Sequence, residues 1–289
     1  MITIFTPTYN RAYILPRLYN SLKNQTCKDF EWIIVDDGST DNTQEIIKEY
    51  QKEQKQFPIY YIKQNNNGKH AAINRGVKEA KGEMFFIVDS DDALPVNAIK
   101  EIEQVSLSVK EKPIFAGVGG LKADIKNNKV LANGGKLQNI DCSMIDIRQK
   151  YGIKGDMAEV FKTEILKQYP FPVFEGEKFV NEAVIWNKIA EKHILRYVPE
   201  VLYLCEYLSD GLTKNIRKKC RNNPKGTICW LKGILNSPLF DLKTKLRVAV
   251  LYWRYLCTQK ISYKEAVSWT YLFWPLGVAI YFYDKMKGK

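Results

Sequence analysis

The chain has 289 residues, 45% of them hydrophobic and 26% charged, the composition of a globular protein and not of a disordered or collagen-like one. Its formal charge of +12 is uneven, because 13 Lys or Arg face Asp241 alone between Leu212 and Lys264; such an excess suits a polyanionic partner. Six scattered cysteines without a C-x-x-C pair argue against a zinc site and, with no leader peptide recognised, for a reducing compartment.

The first half alternates strands and helices. "ITIFTPTYN" reads as a core strand leading through Asn10 and Arg11 into a helix over roughly 13–24. "FEWIIVDD" is a continuous apolar run of the kind buried on both faces of a parallel sheet. "GSTDNT" follows as a turn suited to capping the helix "QEIIKEYQKE". Next come a strand "IYYIKQ", a turn "NNNG" and a helix "KHAAINRGVKEAKG", with Gly82 expected in the helix-ending role. "EMFFIVDSDD" is the fourth strand. This alternation predicts an α/β fold with a parallel sheet and right-handed crossovers. Ligands of such sheets bind beyond the carboxyl ends of the strands.

From about 113 to 210 the pattern changes to shorter strands and glycine turns, with a helix expected over "EKFVNEAVIWNKIAEK". The last 80 or so residues read as helices, one around "DLKTKLRVAVLYWRYLC" and one starting near Ser262, which forms an S-x-x-E capping box with Glu265. Residues 266–283 are uncharged and aromatic-rich, interrupted by Pro275 and followed by lysines. They sit at the lower edge of spanning length, and suit an interfacial helix on an anionic leaflet, a helix packed on protein, or a dimer interface.

Three strand ends carry polar motifs, and the topology brings them to one crevice. In "DSDD" an Asp-x-Asp pair at the end of a buried strand is suited to a hard divalent cation, with substrate phosphates completing its shell. A solvated turn or a cap on the following helix is the plainer account, which Asp92 partly fits. In "VDDGSTD" a carboxylate could accept bonds from a base or a ribose; a capped turn explains it equally. In "NNNGKHAAINRG" the helix start and Lys69 could face phosphates, against a plain amphipathic helix.

"TPTYNRAYILPRLYNSLKNQT", "EWIIVDDGSTDNT", "NGKHAAINRG" and "GEMFFIVDSDD", in this order and spacing, resemble the inverting family 2 glycosyltransferases of GT-A fold. The match is dense over about the first 95 residues and looser to about 210. The resemblance implies a Rossmann-like, mainly parallel sheet flanked by helices, with a basic and apolar helical appendage. It divides the chain into a catalytic domain, 1–210, with a nucleotide-sugar half (1–112) and an acceptor half (113–210), and a membrane-associating region, 211–289.

It also implies a donor in which a nucleotide diphosphate, UDP or GDP, carries the sugar. Thr6, Pro7 and Tyr9 would line the base pocket and Asp37 would read the base. Lys69 and Ser90 would contact the donor, and Asp89 the ribose or the metal. Asp91 would be the metal-binding aspartate for Mn²⁺ or Mg²⁺. The arginine the family often carries in the third block is replaced by Ala72 or Ile73, which leaves Lys69 and His70 as the polar groups. Glu182 of "FVNEAVIW" is the implied general base, with Asn181 in place of a second acid and Glu177 and Asp156 as competitors. Asp210 stands in for a late metal-ligating histidine, since His70 and His193 are the chain's two histidines.

The pathway expected is transfer of one sugar per visit to a lipid-linked oligosaccharide of a capsule or O-antigen kind. It would take place on the cytoplasmic face of the membrane, without nucleic acid, and leaves oligomerisation open. The Q-x-x-R-W block of processive synthases is absent. A sugar nucleotidyltransferase would need a glycine-rich loop where "TPTYNRAY" stands. A non-enzymatic membrane or nucleic-acid-binding module would leave "DSDD" unused.

Overall fold

The computed structural model describes residues 1–132, 138–206, 216–258 and 266–286. Strands β1 (Ile2–Thr8), β2 (Phe30–Asp36), β3 (Ile59–Lys63) and β4 (Met84–Ile87) are followed in turn by helices α1 (Leu15–Lys23), α2 (Thr43–Glu53), α3 (Lys69–Glu79) and α4 (Ala98–Leu107). Then come β5 (Phe115–Asp124), β6 (Ile140–Cys142), α5 (Asp146–Gln149), β7 (Met157–Lys162), α6 (Thr163–Gln168), α7 (Ala183–Ala190) and β8 (Ile194–Cys205). All eight strands share one sheet, in the order β3-β2-β1-β4-β7-β5-β8-β6.

The first four strands are parallel, as expected. Ile2 of β1 pairs with both Phe30 and Met84, so the strands start level and their carboxyl ends open on one side. Every residue of β1 and β2 is buried, as expected of central parallel strands covered on both faces, and the polar Thr3 and Glu31 among them bond each other at 2.6 Å. The parallel pattern does not extend across the sheet. β7 enters antiparallel between β4 and β5, and β6 closes the far edge antiparallel to β8.

One core, including Ile4, Leu18, Trp32 and Phe86, lies under α1, α2 and α4. The other, including Phe5, Ile73, Phe161 and Ile185, lies under α3, α6 and α7. Each such side chain, fully buried, contributes about 1.5–3 kcal/mol. The close packing of α3 depends on Gly76, where a Cβ would stand 2.2 Å from the Phe5 ring.

Gly82 does not end α3 in a left-handed conformation, because the helix closes at Ala80 with an extended backbone. It allows a close approach instead, since a Cβ there would meet Thr3 N at 2.4 Å. The helix expected over "EKFVNEAVIWNKIAEK" starts only at Ala183. Residues 177–182 form a strap without regular secondary structure that buries Glu177 and Val180 and reaches helical angles at Glu182.

Beyond β8, helices α8 (Ile216–Asn222), α9 (Pro224–Asn236) and α10 (Leu242–Leu256), a 3-10 helix (Ser268–Phe273) and α11 (Trp274–Met286) have a core of their own, centred on Leu231, Tyr252 and Trp253. Pro275 lies in the first turn of α11, where its missing N–H costs nothing. Ser262 and Glu265 lie outside the described residues. Among those described, no helix is long and apolar enough to cross a membrane.

Candidate functional site

The acidic turn after β4 is held from three sides. Val88 N donates to Phe5 O and continues the strand toward Asp89. Tyr203, on β8 and buried, accepts from Asp89 N at 3.0 Å and donates to Asp92 Oδ2 at 2.6 Å. Glu206 N donates to Asp92 Oδ1 at 3.2 Å, and Arg17 on α1 donates to Asp91 O at 3.0 Å while pairing with Glu206 at 2.9 Å. Burial, then the Asp89 charge, pushes the Asp92 carboxyl up to about 7. Asp92 is therefore a framework residue, in line with its partial reading as a cap or turn.

Lys69, the first residue of α3, places its ammonium 2.6 Å from Asp89 Oδ1 and 2.9 Å from Glu182 Oε1. Burial alone would lower the lysine pKa, but the two carboxylates outweigh it and raise it. Burial likewise raises the Asp89 carboxyl, and the Lys69 ammonium more than reverses this. The crevice thus joins residues from β4, α3 and the strap before α7 in one ionic cluster. Asn181 caps that helix start, accepting from Ala183 N at 2.9 Å.

Asp91, next to the cluster, accepts no hydrogen bond or ion pair from another described side chain, whereas Asp89 already holds Lys69. One open carboxylate would suit Mg²⁺ or Mn²⁺, which keep water and phosphate ligands, were a substrate to complete the shell. The residues therefore fit a substrate-completed metal site centred on Asp91. They do not form an all-protein cage, as no group of three or more His, Cys, Asp or Glu among the described residues could hold an ion. Asp210 lies outside the described residues.

At the neighbouring strand end, Asp36 and Asp37 shape the turns. Asp36 accepts from Ser39 N and the Tyr61 hydroxyl. Asp37 Oδ1 accepts from the Gln64 amide and Asn67 N, and Oδ2 from Gly68 N at 2.7 Å. A carboxylate offers about four lone-pair sites, so Asp37 spends most of its capacity on fixing the turn that launches α3. A cleft lined by Gly38, Lys63, Gln64, Asn65 and Asn66 opens beside it.

The Thr6 hydroxyl does not face this space, because it is buried and accepts from the Trp32 indole at 2.9 Å. Pro7 and Ser90 are buried, while Tyr9, just after β1, is half exposed.

His70 is 2% exposed and not a surface residue; neither ring nitrogen has a hydrogen-bond partner, and burial lowers its pKa against the opposing charge of Asp37. Ala72 and Ile73 are core. His193 bonds Pro113 O at 3.2 Å. Both oxygens of Glu177 accept backbone N–H groups of α9 at 2.8 Å, which gives this carboxylate a structural role. Asp156 precedes β7. Sequence reasoning missed Tyr203, which reads as one more aromatic in an apolar strand, and Glu159, a buried carboxylate on β7 that feels the charge of Glu182.

Residues 3–105 match the family model of Glycosyl transferase family 2. That stretch has the sequence of a family 2 glycosyltransferase domain. Around that domain the similarity runs further. The chain is 29% identical over 197 residues to the GalNAc(5)-diNAcBac-PP-undecaprenol beta-1,3-glucosyltransferase of Campylobacter jejuni, covering 66% of this chain and 60% of that protein. It is 28% identical over 231 residues to the poly(ribitol-phosphate) beta-N-acetylglucosaminyltransferase TarP of Staphylococcus aureus, covering 75% and 60%. The chain thus spans 60% of the length of each of these relatives.

Among solved structures, S. aureus TarS 1-349 in complex with UDP-GlcNAc aligns with a TM-score of 0.64 at 19% identity, over 96% of this chain and 78% of that one. The mannosyltransferase PcManGT of Pyrobaculum calidifontis, in complex with GDP-Man and Mn²⁺, aligns with a TM-score of 0.55 at 18% identity, over 100% and 76%. The family 2 domain and its continuation to the C-terminal helices have the GT-A fold.

Proposed function

We propose that this protein is a metal-dependent inverting glycosyltransferase that moves one sugar from a nucleotide-diphosphate donor to a lipid-linked glycan acceptor in surface-glycan synthesis. The observation that carries this reading is the convergence of Asp89, Lys69 and Glu182 on one crevice, beside an open Asp91. The similarity to glycosyltransferases that act on undecaprenyl-linked or poly(ribitol-phosphate) acceptors supports it. Residues 1–210 would form the catalytic part, the donor held by 1–112 and the acceptor by 113–210, with 211–289 as the appendage.

In this reading the nucleotide lies over Pro7, Tyr9 and the Asp37 turn, and its diphosphate lies beside Lys69, Asp89 and Ser90. Asp91 is the residue that would hold Mn²⁺ or Mg²⁺, and the ion would supply positive charge to the leaving diphosphate. Glu182 accepts the proton of the acceptor hydroxyl as that oxygen bonds to the anomeric carbon from the face opposite the diphosphate. The bond from the anomeric carbon to the diphosphate oxygen breaks, and the electron pair leaves with the nucleotide. Lys69 holds the Glu182 carboxylate in place by a charge-assisted bond.

The appendage supports work at a membrane surface. Leu272, Trp274, Leu276, Phe282, Tyr283 and Met286 are exposed apolar side chains of the C-terminal helices, and α8 of the same appendage carries Arg217, Lys218, Lys219 and Arg221. Exposed apolar and aromatic side chains together with a cationic helix match an anionic leaflet, here the cytoplasmic one.

The test is a screen of UDP- and GDP-sugars for metal-dependent nucleotide release, with Asp91→Ala and Glu182→Gln as controls. Asp91→Ala is expected to weaken metal-linked donor binding. Glu182→Gln is expected to keep donor binding and lose roughly 10²–10⁴ in turnover. Full turnover in Glu182→Gln would remove that residue from the mechanism.

A further inference from the structure

The strap formed by residues 177–182 runs between the donor half and the helical appendage, and meets each through a glycine. A Cβ on Gly68 would stand 2.0 Å from Lys178 O, and one on Gly226 2.7 Å from Phe179 O. Gly68 immediately precedes Lys69 and has φ +91°, which favours glycine by itself. Gly226 lies in the first turn of α9.

Side chains close the junction reciprocally. Glu177 accepts from Lys225 N and Gly226 N, each at 2.8 Å. Asn223 Oδ1 accepts from Lys178 N at 2.8 Å and Phe179 N at 3.1 Å. Both side chains are 8% exposed. The unpaired amides that open α9 are thus met by the strap, and those of the strap by the residue preceding α9. An ionised carboxylate on two helix-opening N–H groups is among the stronger hydrogen-bond arrangements. Nothing of this is needed to seat a membrane anchor. It fixes a short irregular segment whose last residue is Glu182.

We infer that Glu177 is a positioning residue: it clamps the strap onto α9 and so holds Glu182 at Lys69. The inference rests on the reading of Glu182 as proton acceptor, and makes the appendage part of the catalytic framework.

The experiment compares the full chain with Glu177→Ala, Glu177→Gln, Asn223→Ala and Glu182→Gln. Tryptic cleavage after the exposed Lys178, followed by mass spectrometry, reports the strap. Calorimetry with UDP and GDP in the presence of Mn²⁺ reports the nucleotide site. Nucleotide release from UDP-N-acetylglucosamine and GDP-mannose gives kcat and KM.

In Glu177→Ala, cleavage at Lys178 should speed up and kcat fall by about 10- to 100-fold, the cost of misplacing a catalytic group by an ångström or less. KM and nucleotide affinity should hold. Glu177→Gln keeps one acceptor oxygen and should fall between. Asn223→Ala should repeat the split, and serves if Glu177→Ala fails to fold.

Unchanged cleavage, faster cleavage at unchanged kcat, or equal loss of affinity and turnover would each overturn the inference. Full turnover in Glu182→Gln would instead sink the proton-acceptor reading and the catalytic half of the inference with it. The cleavage rates would still decide the clamp.

Discussion

Lys69 and Glu182 meet at 2.9 Å although one opens α3 and the other ends the strap before α7. The same ammonium holds Asp89 at 2.6 Å, so removing it leaves two carboxylates facing one space without a cation. Lys69→Met is expected to lower kcat/KM for nucleotide release by roughly 10²-fold through lost positioning, with Lys69→Arg retaining part of the activity. Both carboxylates are about a third exposed, so the stability change should stay near 1 kcal/mol or below. Unimpaired kinetics in Lys69→Met would remove the cluster from the mechanism.

Tyr203→Phe probes the support beneath the acidic turn. The variant keeps the ring, which packs edge-on against Phe86, and deletes the oxygen that serves Asp89 N and Asp92 Oδ2. Leaving buried partners unsatisfied costs about 1–3 kcal/mol, to be read by urea unfolding. UDP binding in the presence of Mn²⁺ should weaken as well. A variant as stable and as tight-binding as the parent would show that the turn holds without this hydroxyl.

Glu159 gives a pH dependence with a defined sign. Burial raises its carboxyl from 4.5 to about 7, against the opposing pull of Arg148, 3.8 Å away. A carboxyl raised in the folded state contributes stability that is complete below its unfolded value, near 4.5, and is lost as pH rises through about 7. Thermal unfolding should therefore show the protein losing stability between those values, and Glu159→Gln should flatten that decline. A parallel decline in the variant would assign the effect to other groups.

The appendage predicts binding to vesicles that contain phosphatidylglycerol over phosphatidylcholine vesicles, weakened by salt because exposed charges are screened. Each Lys or Arg brought near such a surface adds about 1 kcal/mol. Leu272→Asp and Trp274→Asp should reduce co-sedimentation while leaving nucleotide release in solution intact. Equal binding to both vesicle types would rule out the electrostatic part.

The sequence showed where the crevice lies because that information is local. Parallel strands ending in "TPTYN", "VDDGSTD" and "VDSDD" must open on one side, and α3 must start where its preceding turn is anchored. Less legible was what each polar residue does once there. Asp37 spends most of its capacity on the 64–68 turn, Thr6 serves Trp32, and His70 is buried rather than exposed. None of these pairings leaves a periodic trace. The strap was misread as helix because "EKFVNEAVIW" has helical composition, and tertiary bonds from α9 override that propensity. Tyr203 was hidden for a related reason: its partners Asp89 and Asp92 lie in the turn after β4, far along the chain, and an aromatic in an apolar strand usually reads as filler.

The glycine on either side of the strap and the Glu177–Asn223 exchange restrict how this chain can be recombined with its relatives. A chimera joined anywhere between 179 and 223 would inherit one half of the clamp from each parent. Grafting a relative's C-terminal helices onto this chain would succeed only if residues 177–179 travel with them.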